Sequence, residues 1–206
     1  GNYAQQTYSV LMTSSLSTNW FANGKVTLTP GHLARCGFSG VLLNLGVNDL
    51  NMALNNFNIN TKEKVKHFLA QCMAETMYGT QFVEYKYQAG RGKVPDVKYS
   101  PYYGSGCLHL TWDYGYEGFY DYMKSIGVTD AKIYTPPEYA TQHVGFKYPG
   151  RSAGWYWDEF KKLNTTINWN GSASEICTAL TGKIVGSSSS ASTRLGFYNK
   201  ISTILK

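Results

Sequence analysis

Residues 61–79, TKEKVKHFLAQCMAETMYG, carry the clearest secondary-structure pattern of the chain. Apolar and small side chains recur at helical spacing on one face: Val65, Phe68, Leu69, Cys72, Met73 and Thr76. The hydroxyl of Thr61 can accept a hydrogen bond from a free backbone N–H at the start of a helix. Gly79 suits a helix end, where left-handed residues are common. The stretch therefore predicts an amphipathic helix from Thr61 to about Tyr78.

The rest of the chain also favours helices over strands. We predict helices from Asp49 onward and over residues 112–126, 140–146, 152–162, 173–181 and 192–205. Residues 85–106 are rich in glycine, proline and tyrosine and predict a long functional loop with room for one small hairpin. The fold class is mainly α. We divide the chain into an N-terminal segment, 1–45, whose role the sequence does not indicate, and a domain spanning 46–206.

Composition narrows the class of partner. Hydrophobic residues make up 43% of the 206 residues and charged residues 16%, which argues against disorder. The net charge of +6 suits an anionic partner such as a cell wall. No run of Lys or Arg exceeds two residues, so we expect no nucleic-acid partner. No stretch approaches the roughly 20 apolar residues of a membrane span. With no visible signal peptide and no initial Met, we expect a processed protein or a domain of a longer one.

The four cysteines leave the redox compartment open. Cys36, Cys72, Cys107 and Cys177 form no C-x-x-C pair, so we expect neither a zinc site nor a redox motif. Two disulfides and four thiols are both compatible with the sequence. The 17 tyrosines and 5 tryptophans have two interpretations as well, a sugar-binding surface or core filling.

Two carboxylates near the predicted helix are candidates for acid–base chemistry. Glu75 lies about 20° around the helix from Phe68, at the border of the apolar face. Partial desolvation there favours the neutral form of a carboxyl, as a general acid requires. Glu84 would point to the opposite side of a continuous helix, so the chain must leave the helix between them, which Gly79 permits. Spacing alone leaves open a second interpretation, two solvated glutamates or one paired with a lysine.

Three ordered blocks resemble the family 19 glycoside hydrolases, the chitinase and endolysin group. Residues 67–76, HFLAQCMAET, are similar to the signature F-L-A-Q-x-x-H-E-T, and bacterial members place a second glutamate nine residues on, here Glu84. Residues 102–116, YYGSGCLHLTWDYGY, resemble Y-Y-G-R-G-P-I-Q-L-S/T-W-N-Y-N-Y. Residues 193–198, TRLGFY, resemble the R-x-x-F-Y ending more weakly. The resemblance covers about residues 50–205.

The resemblance implies a lysozyme-like, two-lobed helical domain with a central substrate cleft. It also implies inverting, endo-acting hydrolysis of β-1,4 bonds in a polymer that contains N-acetylglucosamine, without metal or cofactor. Glu75 would be the acid, Glu84 the base, and Thr111 would help to hold the attacking water. The implied substrate contacts are Tyr102, Tyr103, His109, Trp112, Tyr116, Thr181 and Arg194, with the four aromatic rings packed on sugars. His109 also has a purely structural interpretation.

The blocks depart from the family where substrate is recognised. Four positions carry a residue other than the family's: Ala74 in place of His, Ser105 in place of Arg, His109 in place of Gln and Gly115 in place of Asn. Thr181-Gly182 lies near the place of an expected Asn-Gly. We therefore expect retained hydrolysis with altered sugar recognition, by a monomer acting outside the cell or at a cell wall. Peptidoglycan is the first candidate substrate and chitin the second. A non-catalytic glycan-binding module on a decayed hydrolase fold is the alternative from another class.

Overall fold

The computed structural model describes residues 18–40, 46–84 and 97–206. Within these ranges helices dominate, as predicted. The strands are β1 (Phe21–Ala22) and β2 (Lys25–Val26), and the helices are α1 (Pro30–Cys36), α2 (Val47–Asn56), α3 (Lys62–Glu75), α4 (Asp113–Ser125), α5 (Pro137–Lys147), α6 (Pro149–Trp155), α7 (Leu163–Thr166), α8 (Ala173–Val185) and α9 (Ala191–Ile204). A 3-10 turn covers Ala131–Ile133 and a π-helical turn Tyr156–Phe160. No helix of these ranges combines the length and apolarity needed to cross a membrane.

Parts of two sequence predictions lie outside the described residues. Residues 85–96 form the first half of the predicted aromatic loop, and residues 1–17 and 41–45 belong to the predicted N-terminal segment.

Helix α3 begins where the sequence predicts and ends earlier. The Thr61 hydroxyl accepts a hydrogen bond from the N–H of Lys64 (3.2 Å), as a capping residue should. The predicted end near Tyr78 is wrong, because the last helical residue is Glu75. The Thr76 hydroxyl donates to the Cys72 carbonyl (2.7 Å) and accepts from the N–H of Gly79 (2.8 Å), which closes a turn. Three successive left-handed residues, Met77 to Gly79, then lead the chain away.

The buried stretch of α3 runs through the larger of two hydrophobic clusters, against α9 and α8. It includes His67, whose ring stacks on Tyr198 at 4.1 Å between centroids and meets the Trp169 ring edge-on at 6.0 Å. Neither ring nitrogen of His67 has a hydrogen-bond partner within the described chain. Burial therefore lowers the pKa of His67 to about 4. At neutral pH this residue is an uncharged core aromatic.

The smaller hydrophobic cluster lies among α4, α5 and α6. Its fully buried members include Phe119 and Met123 from α4 and Val144 from α5. The helices of this part of the chain thus bury their apolar faces in a cluster of their own.

The described part of the N-terminal segment packs into the larger cluster through Trp20, Leu28 and Leu33. Its strands form a hairpin around Asn23-Gly24, which our sequence analysis missed although Asn-Gly is a strong two-residue turn signal. Two asparagine side chains of α2 take the place of a further strand. Asn55 bonds the N–H and the carbonyl of Val26, and Asn51 bonds those of Leu28, at 2.8–2.9 Å. This gives residues 18–40 a structural role, while the division at residue 45 stays a prediction.

Helices α2 and α6 cross at close range through glycines. A Cβ on Gly150 would lie 2.6 Å from the Asp49 carbonyl oxygen, and one on Gly154 would lie 2.5 Å from the Phe57 ring. The Asp49 carboxylate accepts from the N–H groups of Gly150 (2.7 Å) and Arg151 (2.9 Å) and pairs with the Arg151 guanidinium. A side chain of α2 thus caps α6.

We expect Gly150→Ala to destabilise the protein by about 2 kcal/mol or more, because the new methyl group would meet backbone rather than a flexible side chain. Gly196→Ala on α9 is the matched control, since a Cβ there meets nothing within 4 Å. It should be neutral or stabilise by up to about 1 kcal/mol. Urea unfolding of both variants checks this, and equal stabilities would contradict the close crossing.

Candidate active site

Glu75 is fixed by an ion pair at the end of α3. The Arg194 guanidinium, from the first turn of α9, lies 2.9 Å from Glu75 Oε1. Arg194 is buried, whereas the Glu75 side chain is one-fifth exposed. Within the described residues only this hydrogen bond is made to the carboxylate, so Oε2 has no protein donor there. The geometry differs from a carboxyl that merely lies beside an apolar face, because a guanidinium holds one of its oxygens.

The ion pair continues inward as a buried hydrogen-bonded chain. Arg194 donates its second N–H to Gln71 Oε1 (2.7 Å), and Gln71 Nε2 donates to the hydroxyl of Thr181 (3.2 Å). Thr181 in turn donates to the Cys177 carbonyl (2.7 Å). Thr181 is fully buried, so its predicted role as a substrate contact is corrected: it supports Gln71. The predicted substrate contact of Arg194 is corrected in the same way, because its guanidinium binds the Glu75 carboxylate.

Glu84 is held by the aromatic loop. Its Oε1 accepts from the Tyr99 hydroxyl (2.8 Å) and its Oε2 from the N–H of Gly104 (3.0 Å). Its own N–H donates to the Gly104 carbonyl (2.8 Å). Burial, the larger cause, and hydrogen bonding to Glu84 raise the pKa of Tyr99 to about 12. The Tyr99 hydroxyl therefore remains a donor. Our sequence analysis did not identify Tyr99, and no spacing signal links it to Glu84.

The block 102–116 folds back on itself through a buried centre. Ser105 forms isolated bridges with Val83 and Leu110. The Tyr116 hydroxyl donates to the Tyr103 carbonyl and is hydrogen-bonded to the Ser105 hydroxyl (2.6 Å). Tyr116 is fully buried, which corrects the expectation that its ring packs on a sugar.

Two further predicted sugar contacts are mainly structural. Tyr102 stacks on Tyr134 at 5.6 Å between centroids and donates its hydroxyl to the Tyr134 carbonyl (2.9 Å). Tyr103 hydrogen-bonds Ser100. Both tyrosines are more than nine-tenths buried, so they support the loop.

Glu75, Thr111, His109 and Trp112 line one cavity of about 360 Å³, which we call the Glu75 cavity. Thr111 donates its hydroxyl hydrogen to the His109 carbonyl (2.7 Å), which leaves the oxygen lone pairs to accept from a ligand or water. The His109 Nε2 is bound to the Gln81 carbonyl (3.0 Å) and therefore carries its hydrogen. His109 thus makes a structural hydrogen bond and also lines the Glu75 cavity. Glu84 is outside the lining, but its partner Tyr99 belongs to it.

One wall of the Glu75 cavity is a row of aromatic rings, which we call the aromatic wall. Trp112 stacks on Tyr114 (5.8 Å between centroids), Tyr114 on Phe160 (6.2 Å) and Phe160 on Tyr156 (5.8 Å). Trp112, Tyr114 and Phe160 are 37%, 53% and 43% exposed, so their faces are accessible. Sequence analysis found only Trp112, because Tyr156 and Phe160 come from a distant helix end.

Lys161 is the one lysine among the described residues that lines this cavity. The ammonium group of Lys161 lies 5.7 Å from the Phe160 ring centroid and 5.9 Å from that of Tyr156. Among the described residues it forms no ion pair. The described residues also contain no cluster of His, Cys, Asp and Glu that could hold a metal ion, and all four cysteines are buried thiols.

No model of a known protein family matches the chain, and no curated protein matches its sequence. Solved structures do match. Chitinase C from Streptomyces griseus HUT6037 gives a TM-score of 0.55 at 15% identity, over 89% of this chain and 95% of that chain. A mutant of chitinase C gives 0.52 at the same identity and coverage. A class IV family 19 chitinase from Zea mays gives 0.48 at 16% identity, over 96% of this chain and 90% of that chain. The likeness to chitinase C confirms the predicted fold class: the chain has a mainly α-helical fold like that of this chitinase.

We expect Arg194→Met to destabilise the protein by about 3 kcal/mol, because the Glu75 carboxylate and the Gln71 amide oxygen both lose their donor. In the Arg194→Met background, Glu75→Gln should cost little or restore stability, since no lone carboxylate is then left. Urea unfolding of the two single variants and the double variant measures the coupling. Lys200→Met, on the exposed side of the same helix, is the control and should change stability by less than about 0.5 kcal/mol. Additive effects would contradict a coupled pair.

Proposed function

We propose that the protein is an inverting, endo-acting glycoside hydrolase that cuts β-1,4 bonds in an N-acetylglucosamine-containing polymer. The observation that supports this best is the Glu75 cavity, where a fixed carboxyl faces accessible aromatic rings. Carbohydrate sites commonly combine such rings with few polar groups. The likeness of the fold to chitinase C, a chitinase by name, agrees with this function.

Glu75 is the proposed acid. Arg194 holds Oε1, so Oε2 can carry the proton and point it at a glycosidic oxygen. A general acid donates this proton to the leaving oxygen as the glycosidic bond breaks. Arg194 then stabilises the carboxylate that forms when the proton leaves.

Glu84 is the proposed base. Two donors, Tyr99 and the N–H of Gly104, fix its carboxylate, and each oxygen retains a free lone pair for a water hydrogen. The Thr111 oxygen can accept the other hydrogen of that water. An inverting mechanism needs this intervening water, which attacks the anomeric carbon from the face opposite Glu75.

We propose peptidoglycan as the substrate, because Lys161 places in the Glu75 cavity a cation that has no ionic partner among the described residues. Peptidoglycan carries carboxylates on its stem peptides, whereas chitin is neutral. The net charge of +6 is consistent with an anionic wall. The second candidate is chitin, which the likeness to chitinase C favours. Glu75 and Glu84 are each fixed by hydrogen bonds of their own, which favours an enzyme over a non-catalytic module.

The catalytic assignment predicts unequal losses. Glu75→Gln should lower kcat by about 10³-fold, since proton donation is abolished, while Thr111→Ala should lose roughly tenfold to a hundredfold, since only water positioning is weakened. Reducing-sugar release from purified peptidoglycan and from chitin oligomers measures this. The anomer of the first product reports inversion. Thr111→Ser is the control and should retain most activity.

Three outcomes would contradict these assignments. A fully active Glu75→Gln variant would exclude Glu75 as the acid. Retention of the β-anomer would exclude the inverting mechanism. Binding of both polymers by the wild-type protein without any product would favour the glycan-binding module.

The substrate assignment makes a separate prediction. Lys161→Gln should lower kcat/KM on peptidoglycan about tenfold, through loss of one charge-assisted hydrogen bond, and leave kcat/KM on chitin oligomers nearly unchanged. Lys162→Gln is the matched control, because Lys162 is exposed and does not line the Glu75 cavity. Amidation of the peptidoglycan carboxyls should remove the difference between wild type and Lys161→Gln. Equal losses on both polymers would instead favour chitin as the substrate.

A further inference from the structure

We propose that the outward face of α5 is a second binding surface, which holds a peptidoglycan strand apart from the Glu75 cavity. The surface, called the α5 surface below, consists of Tyr139, Gln142, His143, Phe146 and Lys147 with Lys132 from the preceding 3-10 turn. This inference rests on the proposed function for its ligand. Its two carrying observations, exposed rings and an excess of positive over negative charge, are independent of the catalytic residues.

The α5 surface is a regular helical stripe. Residues 139, 142, 143 and 146 follow the spacing i, i+3, i+4 and i+7, which places them on one side of a helix. Tyr139 and Phe146 are 62% and 46% exposed, and about 10.5 Å of helix rise separates them. Together with Pro136 these residues border a shallow concavity of about 750 Å³. Two large exposed aromatic residues around one concavity are typical of an interaction site.

The opposite face of α5 explains why this stripe is free. Ala140, Thr141 and Val144 are fully buried in the smaller hydrophobic cluster and against the aromatic loop, where the Thr141 hydroxyl accepts from the N–H of Tyr103 (3.1 Å). The helix is therefore anchored by one side and rigid. A rigid helix presents its outward rings at fixed spacing, which reduces the entropy lost on binding.

The charge of the α5 surface suits an anionic ligand. Lys132 and Lys147 border the concavity, and none of the described acidic residues lines it. Asp130 lies beneath, accepting from His143 Nε2 (2.8 Å), Lys147 Nζ (3.2 Å) and the Tyr148 hydroxyl (2.7 Å). Burial acts to raise the pKa of Asp130, but these hydrogen bonds outweigh it and hold that pKa well below its usual range. The single negative charge of Asp130 thus orients His143 and Lys147, but it cannot neutralise the charges of both Lys132 and Lys147.

Rings and cations together select the ligand class. Aromatic faces pack on the apolar faces of sugar rings, and the Gln142 amide can both donate and accept with acetamido and hydroxyl groups. The lysines match the carboxylates of the stem peptides, which branch from every second sugar of a peptidoglycan strand. The α5 surface and the Glu75 cavity share no lining residue, so one molecule can engage an insoluble wall at both places. Such bivalent contact raises the effective concentration of the second site.

The test separates attachment from turnover. The paired substitution Tyr139→Ala/Phe146→Ala is placed in a Glu75→Gln background, and co-sedimentation with purified insoluble peptidoglycan is measured across protein concentration. The expected result is binding about tenfold weaker than in Glu75→Gln alone, as loss of two aromatic anchors gives. A second variant, Lys132→Gln/Lys147→Gln, should weaken binding and reduce its dependence on salt. Lys124→Gln, an exposed lysine on α4, is the charge control and should bind like its parent.

The same pairs in the active protein give the second readout. Hydrolysis of a short soluble oligosaccharide should be unchanged, whereas release from insoluble walls should fall. Unchanged sedimentation in both pairs would overturn the proposal, as would equal loss on the soluble oligosaccharide. If double-stranded DNA binding falls as much as wall binding in the aromatic pair, the surface is a general polyanion site and the peptidoglycan assignment is overturned. If no variant hydrolyses any polymer but the aromatic pair still loses wall binding, the proposed function fails and the α5 surface stands.

Discussion

The ion pair between Glu75 and Arg194 is the constraint on which the arrangement of the site depends. It joins the end of α3 to the start of α9, and through Gln71 and Thr181 it reaches α8. A buried guanidinium requires all of its partners at once, because a lone charge in the interior is costly. The three helices can therefore meet in only one register, and that register fixes where the Glu75 carboxylate faces the Glu75 cavity.

The same network explains why the sequence revealed the carboxylate more readily than its surroundings. Glu75 stands in a local pattern, a helix with a capping threonine and an apolar face, and local patterns are what a single sequence shows. Arg194 is 119 positions away and Thr181 is 106 positions away. Only the resemblance of the block at 193–198 singled out Arg194, as a substrate contact, and only packing shows that it holds Glu75. Thr181 was placed at the substrate for the same reason, although its hydroxyl is used inside the protein.

The aromatic residues show the limit of sequence reasoning most clearly. Tyr102, Tyr116 and Trp112 belong to one block, and nothing in the residue types distinguishes a core ring from an exposed one. Tyr116 faces inward because its hydroxyl finds the Tyr103 carbonyl and Ser105, a buried partner set that spacing does not encode. Most helices, by contrast, follow from the sequence, since periodicity is local, but the sequence analysis did not predict α1 or the short α7. The hairpin at Asn23-Gly24 was also predictable and was overlooked, so that error lies in the interpretation rather than in the sequence.

Trp112 indicates how the loop and the Glu75 cavity are coupled. Its backbone has φ 74° and ψ 151°, a region that side-chain-bearing residues adopt only at a cost of about 1–3 kcal/mol. The conformation is held from both ends, because its N–H donates to the Tyr102 carbonyl (3.1 Å) and its carbonyl accepts from the N–H of Tyr116 (3.2 Å). Both tyrosines are buried members of the same block. The buried rings therefore act on the site indirectly: they force the backbone turn that directs the Trp112 ring into the aromatic wall, beside the cavity that Glu75 faces.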